Sequence, residues 1–264
     1  MTDVASIATR LIAAQDHATT LPPITAGAPD FTVAYGYAVM AEVARRRRAQ
    51  GRQSVGRKIG FTNRTIWPRY GVHQPNWAYL WADTVQYAPD GKAALALDRF
   101  VDPRIEPEVV FKLKAAVPPT NNAIEVLAAT EWIAAGFEIV QSHFPNWRFA
   151  AADTTANCAL HGALVVGPPL AVAQANRAKL AAALPAFSLA LRRGADVIDR
   201  GVGANVLDSP ALALAHLARL IADQPQFPAL AAGKSSPQER SPTPGRSTPA
   251  RPGRRITEAL GSPG

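Results

Sequence analysis

Apolar positions recur at helical spacing from the start of the chain. Val4, Ile7, Ala8, Leu11 and Ile12 share one face, with Thr2 or Asp3 ahead of them as caps, and the pattern predicts a helix over 2–19. A proline-rich stretch, LPPITAGAPDFT, then reads as a loop. Thr32 opens a second predicted helix that runs to about Gln50. Tyr37, Met40, Val43 and Ala44 form its buried face, and Gly51 stops it. SVGRKIGFT reads as a short strand with a glycine on each side of Arg57–Ile59. Residues 65–85 mix aromatics, proline and glycine too irregularly for one element and read as a loop segment bordering a pocket.

From about residue 95 the pattern changes to strands alternating with single helices. RIEPEVVFKLK is a predicted strand, AIEVLAATEWIAA a helix over 123–135 ended by Gly136, and FEIVQSH and GALVVG two further strands. FSLALRRGADVIDRG reads as a hairpin turning at Gly-Ala-Asp. SPALALAHLARLIAD reads as a helix with Ser209 as cap and Pro210 in its first turn. No unit repeats with a period of 20–50 residues. After Gly233 periodicity stops. Residues 234–264 hold six Pro, five Ser, four Gly and only four apolar residues, a composition that cannot bury a core. The chain therefore divides into a helical and loop region over 1–94, a core over 95–233 and a tail over 234–264, expected to be disordered.

Composition narrows the classes. With 264 residues, 48% apolar and 18% charged, the chain can bury one sizeable core. It has no run of 18 apolar residues, which excludes a membrane-spanning helix. The opening MTDVASIATR has an early Asp and no apolar run, unlike a secretory signal. A lone cysteine, Cys158, excludes a disulfide framework or a thiolate metal cluster. A cytoplasmic protein is expected. The net charge of +8 suggests nucleic acid at first sight, but the tail supplies +4 of it and the other 233 residues share the rest. Arg45–Arg48 reads as a solvated helix end, and aromatics do not interleave with the basic residues as a base-stacking platform needs. No nucleic-acid partner and no membrane partner are expected.

Three places carry candidate chemistry. Glu106 and Glu108 are two apart in a strand, so both carboxylates point to one face while Ile105, Val109 and Phe111 point to the other. Two like charges side by side repel unless a cation sits between them, and a hard divalent ion prefers such oxygen ligands. An edge strand with one wet face is the plainer alternative. Glu138 lies between Phe137 and Ile139, where a carboxylate is either a metal ligand or paired with Arg or Lys. Lys58, in GRKIGF, is either a surface lysine or one partly withdrawn from water, with a lowered pKa suited to proton exchange or to holding a substrate carboxylate.

Taken in order, GRKIGFTN, GVHQPNWAYLWAD, RIEPEVVFKL, FEIVQS and DTTANCALHGALVVG resemble the 2-keto-4-pentenoate hydratase and 4-oxalocrotonate decarboxylase family, of the fumarylacetoacetate hydrolase-like fold. The resemblance runs from about residue 50 to 233 and is weaker in the N-terminal helices. It implies an α+β fold with a mixed β-roll core, and Mg²⁺ or Mn²⁺ held by three carboxylates that match Glu106, Glu108 and Glu138. The family's active-site lysine matches Lys58, and an acidic residue that could orient water matches Asp83. Asp153 and Thr154 match its substrate-side motif, and His73 is placed at the pocket mouth. Cys158 and His161 read as packing or supporting residues. Gln141, His143, Asn76 and Asp208 depart from the family pattern and leave the exact substrate open. The implied substrate is a small 2-hydroxy-2,4-dienoate, hydrated to a 4-hydroxy-2-oxo acid, in a homo-oligomer of a kind that serves aromatic-compound catabolism. Decarboxylation of a 4-oxalocrotonate-type acid, or a catalytically impaired relative, are the alternatives.

The tail departs most. The family continues after L-A-A-G with E-I-V-T-T-G-T-L-T-D-A and later P-G-E-T-W, whereas this chain reads KSSPQERSPTPGRSTPARPG. When the last base of each codon from Gly233 is joined to the first two of the next, allowed codons through Gly253 spell twenty consecutive family-like residues. A reading-frame shift is therefore expected. A basic Pro/Ser-rich tail that binds a partner is the alternative.

Overall fold

The computed structural model describes residues 3–232 and, as backbone, residues 255–259. Asp3 caps α1 (Val4–His17), its carboxylate accepting from the Ala5 N–H at 3.0 Å. After a single turn, α2 (Ile24–Gly27), Thr32 caps α3 (Val33–Ala49) in the same way. Ile7, Leu11, Val39 and Val43 of α1 and α3 meet Phe144, Ala152 and Ala156 in one apolar cluster. The arginine run at the end of α3 is only partly solvated. Arg45 and Arg46 grip Glu42 at 2.7 and 2.6 Å, but Arg47 turns inward, 4% exposed, to Asp16 at 2.7 Å.

β1 (Ser54–Gly60) pairs antiparallel with β2 (Asn76–Trp81), Lys58 opposite Ala78. The single turn α4 (Trp67–Tyr70) lies between them. The expectation of an irregular loop over 65–85 is corrected here: NWAYLW is a strand buried at every position. Its apolar run lacks alternation because both faces are covered, one by the guanidiniums of Arg57 and Arg48, 3.7 and 4.6 Å from the centre of the Tyr79 ring.

The main sheet contains β3 (Val85–Tyr87), β5 (Arg104–Leu113), β6 (Thr130–Val140) and β7 (His161–Ala171) in the order β3-β7-β6-β5. β3 runs parallel to β7, and the other pairs are antiparallel. A strand from before residue 94 thus joins the core sheet. β5 is an edge strand, which is where a strand can tolerate Pro107. The predicted helix over 123–135 is shorter. α5 (Ala123–Ala128) ends at Ala129, and β6 begins at Thr130. Small alanines fit either element. Gly136, expected as a helix stop, lies within β6, where a Cβ would stand 2.6 Å from the Val165 carbonyl oxygen of β7. Its role is close strand approach.

α6 (Ala151–Ala156) precedes β7, and α7 (Arg177–Ala186) follows it. β8 (Ser188–Arg193) and β9 (Asp196–Val202) form the hairpin, with Gly194 at φ +61° in the turn. α8 (Pro210–Ala222) begins after Ser209, and its Leu217, Leu220 and Ile221 pack on Trp77 and Phe227. Burying each such side chain contributes about 1.5–3 kcal/mol. β4 (Lys92–Ala96) pairs antiparallel with β10 (Arg255–Ala259), the part of the tail whose backbone is described. The rest of the tail, where disorder is expected, lies outside the described residues. The described elements make an α+β arrangement, and among them no helix is long and apolar enough to cross a membrane.

Candidate metal centre

The register of β5 against β6 sets Glu106 opposite Glu138 and Glu108 opposite Gly136, so three carboxylates share one face of two neighbouring strands. Each offers an oxygen within 4.8 Å of the others. Glu106 reaches solvent, Glu108 is half-buried and Glu138 is buried on the inner strand. At 4.8 Å and an effective dielectric near 20, each charged pair repels by roughly 3 kcal/mol.

Lys58 faces them, and Arg104, two residues before Glu106 on β5, adds a second positive charge near Glu106. Lys58, from β1, places Nζ 2.7 Å from Glu138 Oε2 and donates to the Ala159 carbonyl at 2.9 Å. Glu138 is therefore an ion-pair partner of Lys58 and at the same time a member of the carboxylate cluster. Its other oxygen, Oε1, lies 2.7 Å from His161 Nδ1, and His161 Nε2 lies 2.8 Å from Thr84 Oγ1.

These contacts set the charge states. Burial pushes Glu138 up, but Lys58 and the His161 hydrogen bond outweigh it and hold the carboxyl below its ordinary value. Glu108 has no hydrogen-bond partner among the described residues, and withdrawal from water, with the Glu138 charge beside it, outweighs the pull of Lys58 and pushes it up to about 8. For Lys58 the expectation is corrected. Burial alone lowers its pKa, but the charges of Glu138, Glu106 and Glu108 outweigh burial and raise it. Lys58 and Arg104, two positive charges, cannot balance three ionised carboxylates. A hard divalent cation among them can, and the all-oxygen donor set suits such an ion.

The Lys58 anchor comes from an unusual backbone. Cys158, Ala159 and Leu160 all have positive φ, at 54°, 49° and 62°, although none is glycine. This left-handed turn costs roughly 1–2 kcal/mol per residue and presents the Ala159 carbonyl to Lys58.

The other candidates lie elsewhere. Asp83 is 59% exposed and pairs with Arg52 at 2.8 Å; its neighbour Thr84 is the residue that reaches the cluster, through His161. Asp153 is buried and fully engaged, accepting from Thr25 N and Oγ1 and from Ala150 N at 3.0, 2.7 and 2.9 Å, so it ties α2 to α6. Thr154 accepts from Asn76 Nδ2 at 3.2 Å and donates to Ala151. His73 is exposed in the loop ahead of β2. Gln141 accepts from Val101 N, and His143 accepts from Asn157 Nδ2. Thr84 and the Ala159 carbonyl carry no sequence signal: a threonine after Trp-Ala-Asp and a backbone oxygen look like loop chemistry.

No family model matches the chain. A 2-hydroxyhexa-2,4-dienoate hydratase of Comamonas testosteroni is 33% identical over 80% of this chain and 78% of its own length. A 2-hydroxypent-2,4-dienoate hydratase of Pseudomonas putida is 32% identical over 76% and 88%. A 4-oxalocrotonate decarboxylase of Pseudomonas sp. (strain CF600) is 31% identical over 77% and 74%. Among solved structures, the 4-oxalocrotonate decarboxylase of Pseudomonas putida G7 complexed with magnesium and adipate superposes with a TM-score of 0.77 at 23% identity, covering 87% of this chain and 84% of that one. That likeness establishes the fold.

Proposed function

The chain belongs to the 2-keto-4-pentenoate hydratase and 4-oxalocrotonate decarboxylase family, and from that premise we propose that it is a metal-dependent hydratase of 2-hydroxy-2,4-dienoates. The observation that carries this reading is the convergence of Glu106, Glu108 and Glu138 beside Lys58. The three carboxylates would hold Mg²⁺ or Mn²⁺. The ion supplies Lewis acidity for a substrate 2-oxygen that gains negative charge as the dienol becomes its 2-oxo tautomer.

The chain's own residues do the rest. Lys58 is buried yet charged, fixed between Glu138 and the Ala159 carbonyl, and stands ready to hold the substrate carboxylate or to pass a proton. Its raised pKa belongs to the cluster without an ion; a divalent charge offsets the field that raises it. Asp153 and Thr154 keep α6 against α2 and β2 on the substrate side, and His73 stands at the rim. No water-orienting step is assigned to Asp83, whose carboxylate is turned to Arg52.

A second reading, decarboxylation of a 4-oxalocrotonate-type acid, is favoured by the decarboxylase relative and the structural neighbour. The same enolate then forms by loss of CO₂. The reading also takes the protein as a homo-oligomer and its tail as the product of a reading-frame shift, which leaves turnover weak even with the metal ligands in place.

The deciding assay follows the ultraviolet absorbance of 2-hydroxypenta-2,4-dienoate with Mg²⁺, with 4-oxalocrotonate in parallel. Hydration predicts loss of the dienoate absorbance that stops in EDTA and in Glu108→Ala. It also predicts about a 10²-fold or greater loss in Lys58→Ala with metal binding intact. Wild-type metal affinity in Glu108→Ala would remove the basis of the proposal.

A further inference from the structure

His161 reaches Glu138 because β7 is bulged. In the regular part of the ladder Glu138 is opposite Leu164 and Ile139 opposite Ala163, which would put residue 162 opposite Val140. Instead the register shifts and His161 takes that place. Cross-strand partners share a face, and Val140 shares the face of Glu138, so one extra residue moves His161 onto the metal-facing side. Gly162 is the residue passed over, and a Cβ there would stand 2.7 Å from the Ile139 carbonyl oxygen and 3.0 Å from Phe100.

The imidazole is then held from both ends. An ionised carboxylate has no proton to give, so His161 Nδ1–H donates to Glu138 Oε1 at 2.7 Å. On the far side Nε2 lies 2.8 Å from Thr84 Oγ1, which also lies 2.8 Å from the Trp81 carbonyl; with Nδ1 carrying the ring proton, the one hydroxyl proton of Thr84 is shared between Nε2 and that carbonyl. Lys58 takes the opposite oxygen, Oε2. Both oxygens of one carboxylate are thus pinned by donors from different elements. Rotation of its plane is blocked, while each oxygen keeps a lone pair for an ion. The ring is only 3% exposed, so water cannot replace it without rearrangement.

We propose that Thr84 and His161 form a brace that fixes the plane of the Glu138 carboxylate and so sets the chain's affinity for its divalent ion. His161 is a positioning residue acting through Glu138, and the inference rests on the metal centre proposed above. Partners of this kind typically control metal affinity by 10–100-fold.

The test is a Mn²⁺ titration of the full-length chain, stripped with EDTA and followed by the paramagnetic resonance of free and bound Mn²⁺. His161→Ala should weaken binding by about 10–100-fold and alter the bound-ion spectrum. His161→Asn, whose amide N–H sits near the position of the imidazole Nδ1–H, should recover most of the affinity. Thr84→Val, which leaves the ring in place but frees its far end, should fall between. Wild-type affinity in His161→Ala overturns the brace. So do equal losses in His161→Ala and His161→Asn when both unfold at the same temperature as each other, since that makes the effect one of packing. A wild-type chain that binds no Mn²⁺, or a Glu108→Gln chain that binds it normally, defeats the metal centre and the brace with it.

Discussion

Replacing Lys58 by Met tests how the carboxylate cluster holds together before an ion arrives. Met keeps most of the stem's bulk and removes the charge. Lys58 Nζ stands 2.7 Å from Glu138 Oε2, with 11% and 4% of the two side chains exposed. At an effective dielectric near 20 the attraction at that distance is about 6 kcal/mol. Desolvation takes back several kcal/mol per ion, and breaking such a pair leaves a net loss of about 3–5 kcal/mol. Glu138 keeps its hydrogen bond from His161, so the low end, about 3 kcal/mol, is expected. In a chain of 264 residues that lowers Tm by about 6–12 °C. Added Mg²⁺ reverses the balance. A divalent charge among the carboxylates replaces the lost cation, and without Lys58 nearby it meets less repulsion. The rise in Tm on adding Mg²⁺ should therefore be larger in Lys58→Met than in the wild type. Thermal unfolding followed by circular dichroism, in EDTA and across a Mg²⁺ series, measures both effects. An unchanged Tm in EDTA, or a Mg²⁺ response no greater than wild type, refutes the reasoning.

Three further outcomes are expected. His143 is buried and accepts a hydrogen bond from Asn157 Nδ2; burial holds its pKa at about 4, well below the ordinary 6.5. The unfolded chain binds that proton first, so stability present above pH 6.5 falls towards pH 4 by up to about 3 kcal/mol. Urea midpoints should drop less over that window in His143→Gln, and equal slopes would count against the assignment. Gly136→Ala forces a Cβ against the Val165 carbonyl and Val110, and should cost about 1–3 kcal/mol while weakening Mg²⁺ binding beside Glu108; a neutral variant in both assays would contradict that packing. Sequencing the gene should give codons from Gly233 that spell Thr-Thr-Gly-Thr in the shifted frame, and codons that do not would end the reading-frame proposal.

The legible parts of the molecule are those where a local rule suffices. Period two along RIEPEVV puts Glu106 and Glu108 on one face, caps mark α1 and α3, and Ser209-Pro210 marks the start of α8 although the Ser209 hydroxyl makes no capping bond there. The illegible parts are decided by distant partners. NWAYLW reads as an aromatic-rich loop until Arg48 and Arg57 are seen to cover it. Gly136 looks like a helix stop until β7 is laid against it. The brace joins Thr84 to a histidine 77 residues away through a bulge that no residue pattern announces. Lys58 was visible as a candidate, but its charge environment was not, because two of the three nearby carboxylates lie on β5 and the third on β6.

The left-handed turn at Cys158–Leu160 has a consequence for anyone mapping this site by mutation. Lys58 is held by the oxygen of the peptide backbone at Ala159, and every amino acid carries that oxygen. An alanine scan passes over position 159 without a change, and most other replacements there leave the acceptor in place. Ala159 is also buried in the core cluster that holds Trp77 and Leu217, so larger residues there, above all valine or isoleucine, which resist positive φ, would show a loss of stability with no obvious link to chemistry. Position 159 is held small by its packing and its backbone rather than by the contact it makes, so the lysine's anchor stays invisible in any comparison of side chains.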